Sequence, residues 1–192
     1  YTTDLRWRDG YKKSNRPEYE SGPDLNQIVW ARKRNKFKKP LTMVGNCSWI
    51  SECASMSFLM SKWPIFTIPN AIDIEVWRPQ DKSLARQLFG LPDHRLLCLF
   101  SSLSGINDER KGIDLLIKAL ESLSQTDWSE KLEIVILANE PETLPHYLKN
   151  IKFKIHFVGR LYDDLTLSLL YSAVDIVAIP SRQETLTNVG VE

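Results

Sequence analysis

The chain has 192 residues, 43% of them hydrophobic and 26% charged, the makeup of one or two folded globular domains and not of a disordered or fibrous polymer. A formal net charge of +1 gives no electrostatic reason to expect nucleic acid, and no stretch approaches the roughly 18 apolar residues of a membrane span. The three cysteines, Cys47, Cys53 and Cys98, lack metal-ligand spacing and sit among apolar neighbours, so they read as reduced core thiols of a cytoplasmic protein. Residues 1–40 are polar and carry Trp7, Tyr11, Tyr19 and Trp30; a helix is predicted over Asn26–Lys38. The basic cluster Arg32-Lys33-Arg34, Lys36 and Lys38-Lys39 suits either a solvated helix face or contact with an anionic membrane surface or an acceptor phosphate. Leu41–Val44 reads as a strand, and Ser48 as the cap of a helix Trp49–Met60, with Glu52 placed for the reciprocal bond. In that helix Trp49, Cys53, Met56 and Met60 recur near the 3.6 period and predict a core-facing stripe, followed by a strand Ile65–Ile68.

Pro69–Pro79 is turn-rich and reads as a hinge, and Lys82–Gly90 as a short helix closing on Gly90. From residue 91 strands and helices alternate. Leu96–Phe100, Leu132–Leu137, Lys154–Val158 and Val174–Ile179 are predicted strands; Gly112–Ser124, Leu144–Lys149 and Asp163–Ser172 are predicted helices. The unbroken apolar run Leu96-Leu97-Cys98-Leu99-Phe100 is what a strand covered on both faces requires. The fold class is therefore α/β, a doubly wound, Rossmann-like parallel sheet, with its ligand crevice where the loops after Phe100, Val158 and Ile179 meet.

The last thirteen residues carry the most chemistry. After the predicted strand the chain turns at Pro180-Ser181 and sets Glu184 and Glu192 eight residues apart, across what reads as the start of a helix. Backbone N–H groups of Leu186, Thr187 and Asn188 at such a helix end would face a phosphate, with one acid toward a sugar and the other toward a ribose. The plainer reading is a solvated helix start whose acids favour the macrodipole. In the loop before the predicted helix Gly112–Ser124, Ser101, Ser102, Ser104, Gly105 and Asn107 allow backbone approach, and Arg110 and Lys111 can balance a diphosphate. The chain opens on Tyr1 without an initiator Met and reaches Glu192 barely two turns into the predicted last helix; we expect a piece of a longer polypeptide.

Three segments carry a family resemblance. Glu184-x(7)-Glu192 after Pro180-Ser181, Ile68-Pro69-Asn70-Ala71-Ile72-Asp73 with Trp77 and Pro79, and Arg110-Lys111-Gly112 resemble, in order and spacing, the motifs of retaining glycosyltransferases of family 4, over roughly residues 45–192. The resemblance implies a GT-B fold: residues 1–68 as the end of the N-terminal acceptor domain, 69–90 as the interdomain hinge and 91–192 as most of the nucleotide-sugar donor domain. It implies Glu184 as the catalytic residue, against the donor sugar's hydroxyls, Lys111 with Arg110 on the diphosphate, and Gly159, Arg160 and Leu161 near the base. It further implies Leu186, Thr187 and Asn188 on the distal phosphate, Glu192 on the ribose, no metal and no cofactor beyond the donor itself.

The family's arginine after the first strand has no counterpart here, its glycine in the hinge is Ala71, and its usual proline is Thr187, whose hydroxyl could cap the helix or reach the phosphate. His94, His146 and His156 fit no nucleophile or metal set. The partners implied are a nucleotide-sugar donor and a glycan or lipid-linked acceptor, in surface polysaccharide assembly, with no nucleic acid and with peripheral contact at the inner membrane face left open. The chain alone is expected to be inactive and to bind nucleotide weakly. Two other readings stay open at this point: a GT-B nucleotide-sugar epimerase, and a Rossmann-like binding module for a nucleotide or a protein; the lack of Gly-x-Gly-x-x-Gly after Phe100 argues against a dinucleotide.

Overall fold

The computed structural model describes residues 4–101, 109–138, 148 and 151–191. Ser102, Ser104, Gly105, Asn107, His146, Glu192 and the predicted helix Leu144–Lys149, apart from Leu148, lie outside the described residues. The chain divides into two compact units, Tyr1–Asn70 and Ala71–Glu192.

In the first unit, α1 (Arg6–Asp9) and α2 (Leu25–Lys36) precede β1 (Met43–Gly45), α3 (Ser48–Met56) and β2 (Ile65–Thr67). β1 and β2 pair in parallel, with α3 as their crossover. α2 starts where Asp24 accepts the Gln27 N–H at 2.8 Å. The expected cap of α3 is corrected: Ser48 is already helical, and the extended Cys47 before it makes no side-chain capping bond. The expected core stripe is corrected too. α3 buries none of its residues, Trp49 and Met56 are exposed, and the helix stops at Met56 because Ser57 turns extended, so Met60 lies beyond it. Cys47 and Cys53 are half-buried rather than core residues. What organises this unit is a buried cation: Arg6 meets Asp4 and Asp24 at 2.8 Å and Glu20 at 2.9 Å, with its guanidinium 4.7 Å from the Tyr11 ring centre. The basic residues from Arg32 to Lys39 are solvent-exposed.

No non-glycine residue among those described has a positive φ. The turn through Asn70-Ala71 therefore does without the left-handed geometry that glycine would permit.

The second unit holds α4 (Lys82–Leu88), β3 (Leu96–Ser101), α5 (Ile113–Leu123), β4 (Leu132–Leu137), β5 (Ile155–Phe157), α6 (Asp164–Ala173) and β6 (Ile176–Ala178). Its four strands among the described residues are all parallel, in the order β5-β4-β3-β6. The period-2 alternation of β3 separates two cores. Cys98 and Phe100 pack with Ile113, Ile117 and Leu120 of α5 on one face; Leu97 and Leu99 pack with Ala85 of α4 and with Leu170 and Ala173 of α6 on the other. Phe100, Leu97, Leu99, Val135, Ile136 and Leu137 are fully buried, each contributing about 1.5–3 kcal/mol of hydrophobic stabilisation. The sheet is thus doubly wound. Chain order runs β3, β4, β5 in one direction, and β6 then returns to the opposite side of β3. The loops that leave β3 and β6 therefore lie side by side at the carboxyl end of this pair.

The expected final helix is corrected: after Ile179 the described chain forms no α-helix, only a 3-10 turn at Asn188–Gly190. Thr187 precedes that turn without capping it through its side chain. Nucleating an α-helix fixes several residues for the first hydrogen bond, and here Gly190 and Val191 donate instead to Thr187 and Asn188, three residues back.

Candidate functional site

The crevice at the β3/β6 carboxyl ends is built from two loops. The first leaves β3 at Ser101 and returns through a 3-10 turn, Glu109–Lys111, to Gly112, which precedes α5. The second leaves β6 through Ile179, Pro180 and Ser181 and comes back past Thr187 and Val189. Gly112 makes their close approach possible. Its φ is +68°, and a Cβ there would sit 2.1 Å from the Pro180 carbonyl oxygen. The backbone N–H of Arg182 donates to the Arg110 carbonyl at 2.9 Å, joining the loops again.

Two of the predicted residues meet at this junction. Lys111 Nζ lies 2.5 Å from Glu184 Oε1, and the Ser181 hydroxyl donates to the same oxygen at 3.1 Å. Burial alone would raise the Glu184 carboxyl; the Lys111 ammonium, the Ser181 hydroxyl and the charge of Arg110 outweigh it and hold the carboxyl below the usual glutamate range. An ammonium and a carboxylate held together in a half-buried cleft form a polarised pair, able to receive a ligand that carries phosphate oxygens and hydroxyls on adjoining atoms. The crevice itself is narrow, about 10 Å³. Larger hollows lie elsewhere: about 680 Å³ in the first unit beside Trp7, Tyr11 and Trp30, and about 290 Å³ beside Trp77 and Tyr171. Neither is lined by a predicted donor residue.

The remaining predicted residues are distributed as follows. Leu186 is half-buried and Asn188 exposed, both in the loop after β6 that also holds Thr187, which lines the crevice. Gly159, Arg160 and Leu161 follow β5, three strands from β6 and so roughly 14 Å away by strand spacing. Gly159 turns the chain at φ +75°. Arg160 is exposed with its guanidinium 5.5 Å from the Tyr162 ring centre, and Leu161 packs against the core beneath α6. His156 Nε2 lies 2.5 Å from Glu133 Oε2, a half-buried pair between β4 and β5 rather than part of the crevice.

Three contributors escaped the sequence reading: Ser181, Asp114 and Arg182. The Arg182 guanidinium meets the Asp114 carboxylate through two bonds, the Nη1–Oδ1 bond at 2.6 Å. Ser181 and Glu184 stand in Ser-x-x-Glu spacing, a signal for local side-chain pairing that was open to view. Nothing in the sequence pairs Arg182 with a residue 68 positions upstream.

Comparison with known proteins agrees with this architecture. The chain is 27% identical over 138 residues to D-inositol 3-phosphate glycosyltransferase 1 of Catenulispora acidiphila, an overlap of 67% of this chain and 32% of that protein. It is likewise 27% identical over 139 residues to D-inositol 3-phosphate glycosyltransferase 2 of the same organism, with the same coverage. The chain therefore spans about a third of the length of the curated relatives it matches. Among solved structures, sucrose-phosphate synthase from Thermosynechococcus elongatus superposes with a TM-score of 0.63 at 18% identity, covering 97% of this chain and 44% of that one, a likeness of fold. The family described as "Glycosyl transferases group 1" matches residues 96–192, which hold the whole sheet and both loops of the crevice, and the chain belongs to that family.

Proposed function

We propose that this chain carries the hinge (residues 69–90) and the donor-binding part (91–192) of a retaining glycosyltransferase of family 4, preceded by the end of its acceptor domain (1–68). The enzyme would move a hexosyl group from a nucleotide-diphospho-sugar to a glycan or lipid-linked acceptor in surface polysaccharide synthesis, in the cytoplasm or at the inner membrane face. The observation that carries this reading is the meeting of Lys111 and Glu184 where β6 returns past β3, the position at which doubly wound sheets take their ligands. A diphosphate develops negative charge as the sugar leaves, and Lys111 with Arg110 would stabilise it. Glu184, ionised at neutral pH, would accept hydrogen bonds from the sugar hydroxyls. The backbone N–H groups of Leu186, Thr187 and Asn188 would serve the distal phosphate, Glu192 the ribose, and the Gly159-Arg160-Leu161 turn the base. The names of the relatives, both glycosyltransferases, support transfer of a glycosyl group.

Titration of the chain with UDP, GDP and ADP tests this. At least one should bind, and Lys111→Ala should weaken that binding about tenfold or more, the worth of a charge-assisted hydrogen bond. An intact fold that binds none of the three, or a Lys111→Ala variant that binds as well as the parent, would refute it.

A further inference from the structure

Lys111 and Glu184 belong to loops that leave different strands, and no sheet ladder fixes their separation, since β6 ends at Ala178 and no regular strand or α-helix follows it among the described residues. Something else must set that distance. Two residues after Pro180, Arg182 donates its backbone N–H to Arg110, the neighbour of Lys111. The Arg182 side chain then reaches past Gly112 to grip Asp114 in the first turn of α5, through both terminal nitrogens. α5 is anchored in the core by Ile113, Ile117 and Leu120. The helix end of this grip is thus anchored in the core, while the loop end belongs to no regular strand or α-helix.

We propose that Arg182 is a positioning residue: forked onto Asp114, it holds the loop after β6 against the start of α5 and so keeps Glu184 in contact with Lys111. Its consequence for donor binding rests on the function proposed above; its consequence for the Lys111–Glu184 pair does not. The planar fork matters, because two parallel N–H···O bonds fix orientation as well as distance, which a lysine ammonium cannot do. The pair is solvent-exposed, at 43% and 48% of the side-chain surfaces. Its loss should consequently leave the core intact while freeing the loop.

Two readouts on the full chain separate the proposal from the site reading. The first follows the Glu184 carboxyl carbon by NMR through an acid titration. In the parent the carboxyl should titrate below the ordinary glutamate range; in Arg182→Ala, Arg182→Lys and Asp114→Asn it should move back up toward that range as Lys111 parts from it. The charge-swapped double variant Asp114→Arg with Arg182→Asp should return it part of the way. The second readout titrates UDP, GDP and ADP, where Arg182→Ala should bind about fivefold more weakly, the upper end for an exposed pair. If Glu184 titrates identically in the parent and in both Arg182→Ala and Asp114→Asn, the proposal is overturned, whatever the nucleotides do. If Glu184 shifts as expected but the parent binds no nucleotide, positioning stands and the donor-site reading fails.

Discussion

Gly112 shows how one position can couple two distant parts of the chain. In the sequence it stands only as the end of Arg-Lys-Gly ahead of a predicted helix; the structure gives the physical cause, which is the Pro180 carbonyl lying where a side chain would go. That carbonyl arrives from a loop 68 positions downstream, so a chain read in order could mark the glycine but not its reason. Gly112→Ala faces both a left-handed backbone and a 2.1 Å clash. We expect it to destabilise the chain by about 2 kcal/mol or more in a urea titration; an unchanged midpoint would mean that the two loops do not pack this closely. Glu184 was legible by its spacing from Pro180-Ser181, and its partner Lys111 by its place before α5, but their contact was not. Glu192, half of the carboxylate pair that the sequence put forward, lies outside the described residues.

Among the described elements of the second unit, β4 matches its predicted run Leu132–Leu137 and β3 exceeds its own only by Ser101, while β6 keeps only Ile176–Ala178 of the predicted Val174–Ile179. The errors fall where packing or nucleation decides. α3 has a 3.6-period stripe yet buries nothing, and the described residues after β6 close only a 3-10 turn at Asn188–Gly190. A polar device fixes the β3/β6 neighbourhood on which the crevice depends. Asp175, just before β6, accepts from the Leu97 N–H at 2.8 Å, from Arg86 of α4 at 2.7 Å and from Lys82 at 2.8 Å, while Arg86 also donates to the Ala173 carbonyl. Burial would raise the Asp175 carboxyl, but Lys82, the Leu97 N–H and Arg86 together hold it below the ordinary aspartate value of 3.8. A depressed carboxylate stabilises the fold at pH values above its unfolded pKa, and that contribution disappears as pH falls through the folded value. Asp175→Asn should therefore cost about 2–3 kcal/mol at pH 7, because it leaves the buried Arg86 without its counter-charge. The gap between parent and variant should shrink below about pH 4, as read from thermal midpoints at pH 7 and pH 3; a gap that stays constant with pH would place the stabilisation elsewhere.

For the whole molecule, the alternation of apolar runs with helical segments made the α/β class and the parallel sheet readable, and the two-sided burial of β3 was implied by its unbroken apolar composition. Strand order was not written in any local pattern. That β6 crosses back beside β3, and so puts the loops of Lys111 and Glu184 together, depends on the tertiary choice made by Asp175 and α6. In the first unit, the Arg6 cluster was equally hidden, since its three acids lie 2, 14 and 18 residues from the arginine and follow no period. The proposed function puts a nucleotide's phosphates at the β3/β6 crossover, between the Lys111 turn and the loop after β6. Backbone amide NMR of the chain during titration with whichever of UDP, GDP or ADP binds tests it most directly. Shifts should concentrate at 110–113 and 181–191 and be lost in Lys111→Ala; shifts centred instead on the hollow beside Trp77 and Tyr171, or on the aromatic hollow of the first unit, would rule out binding at the crossover.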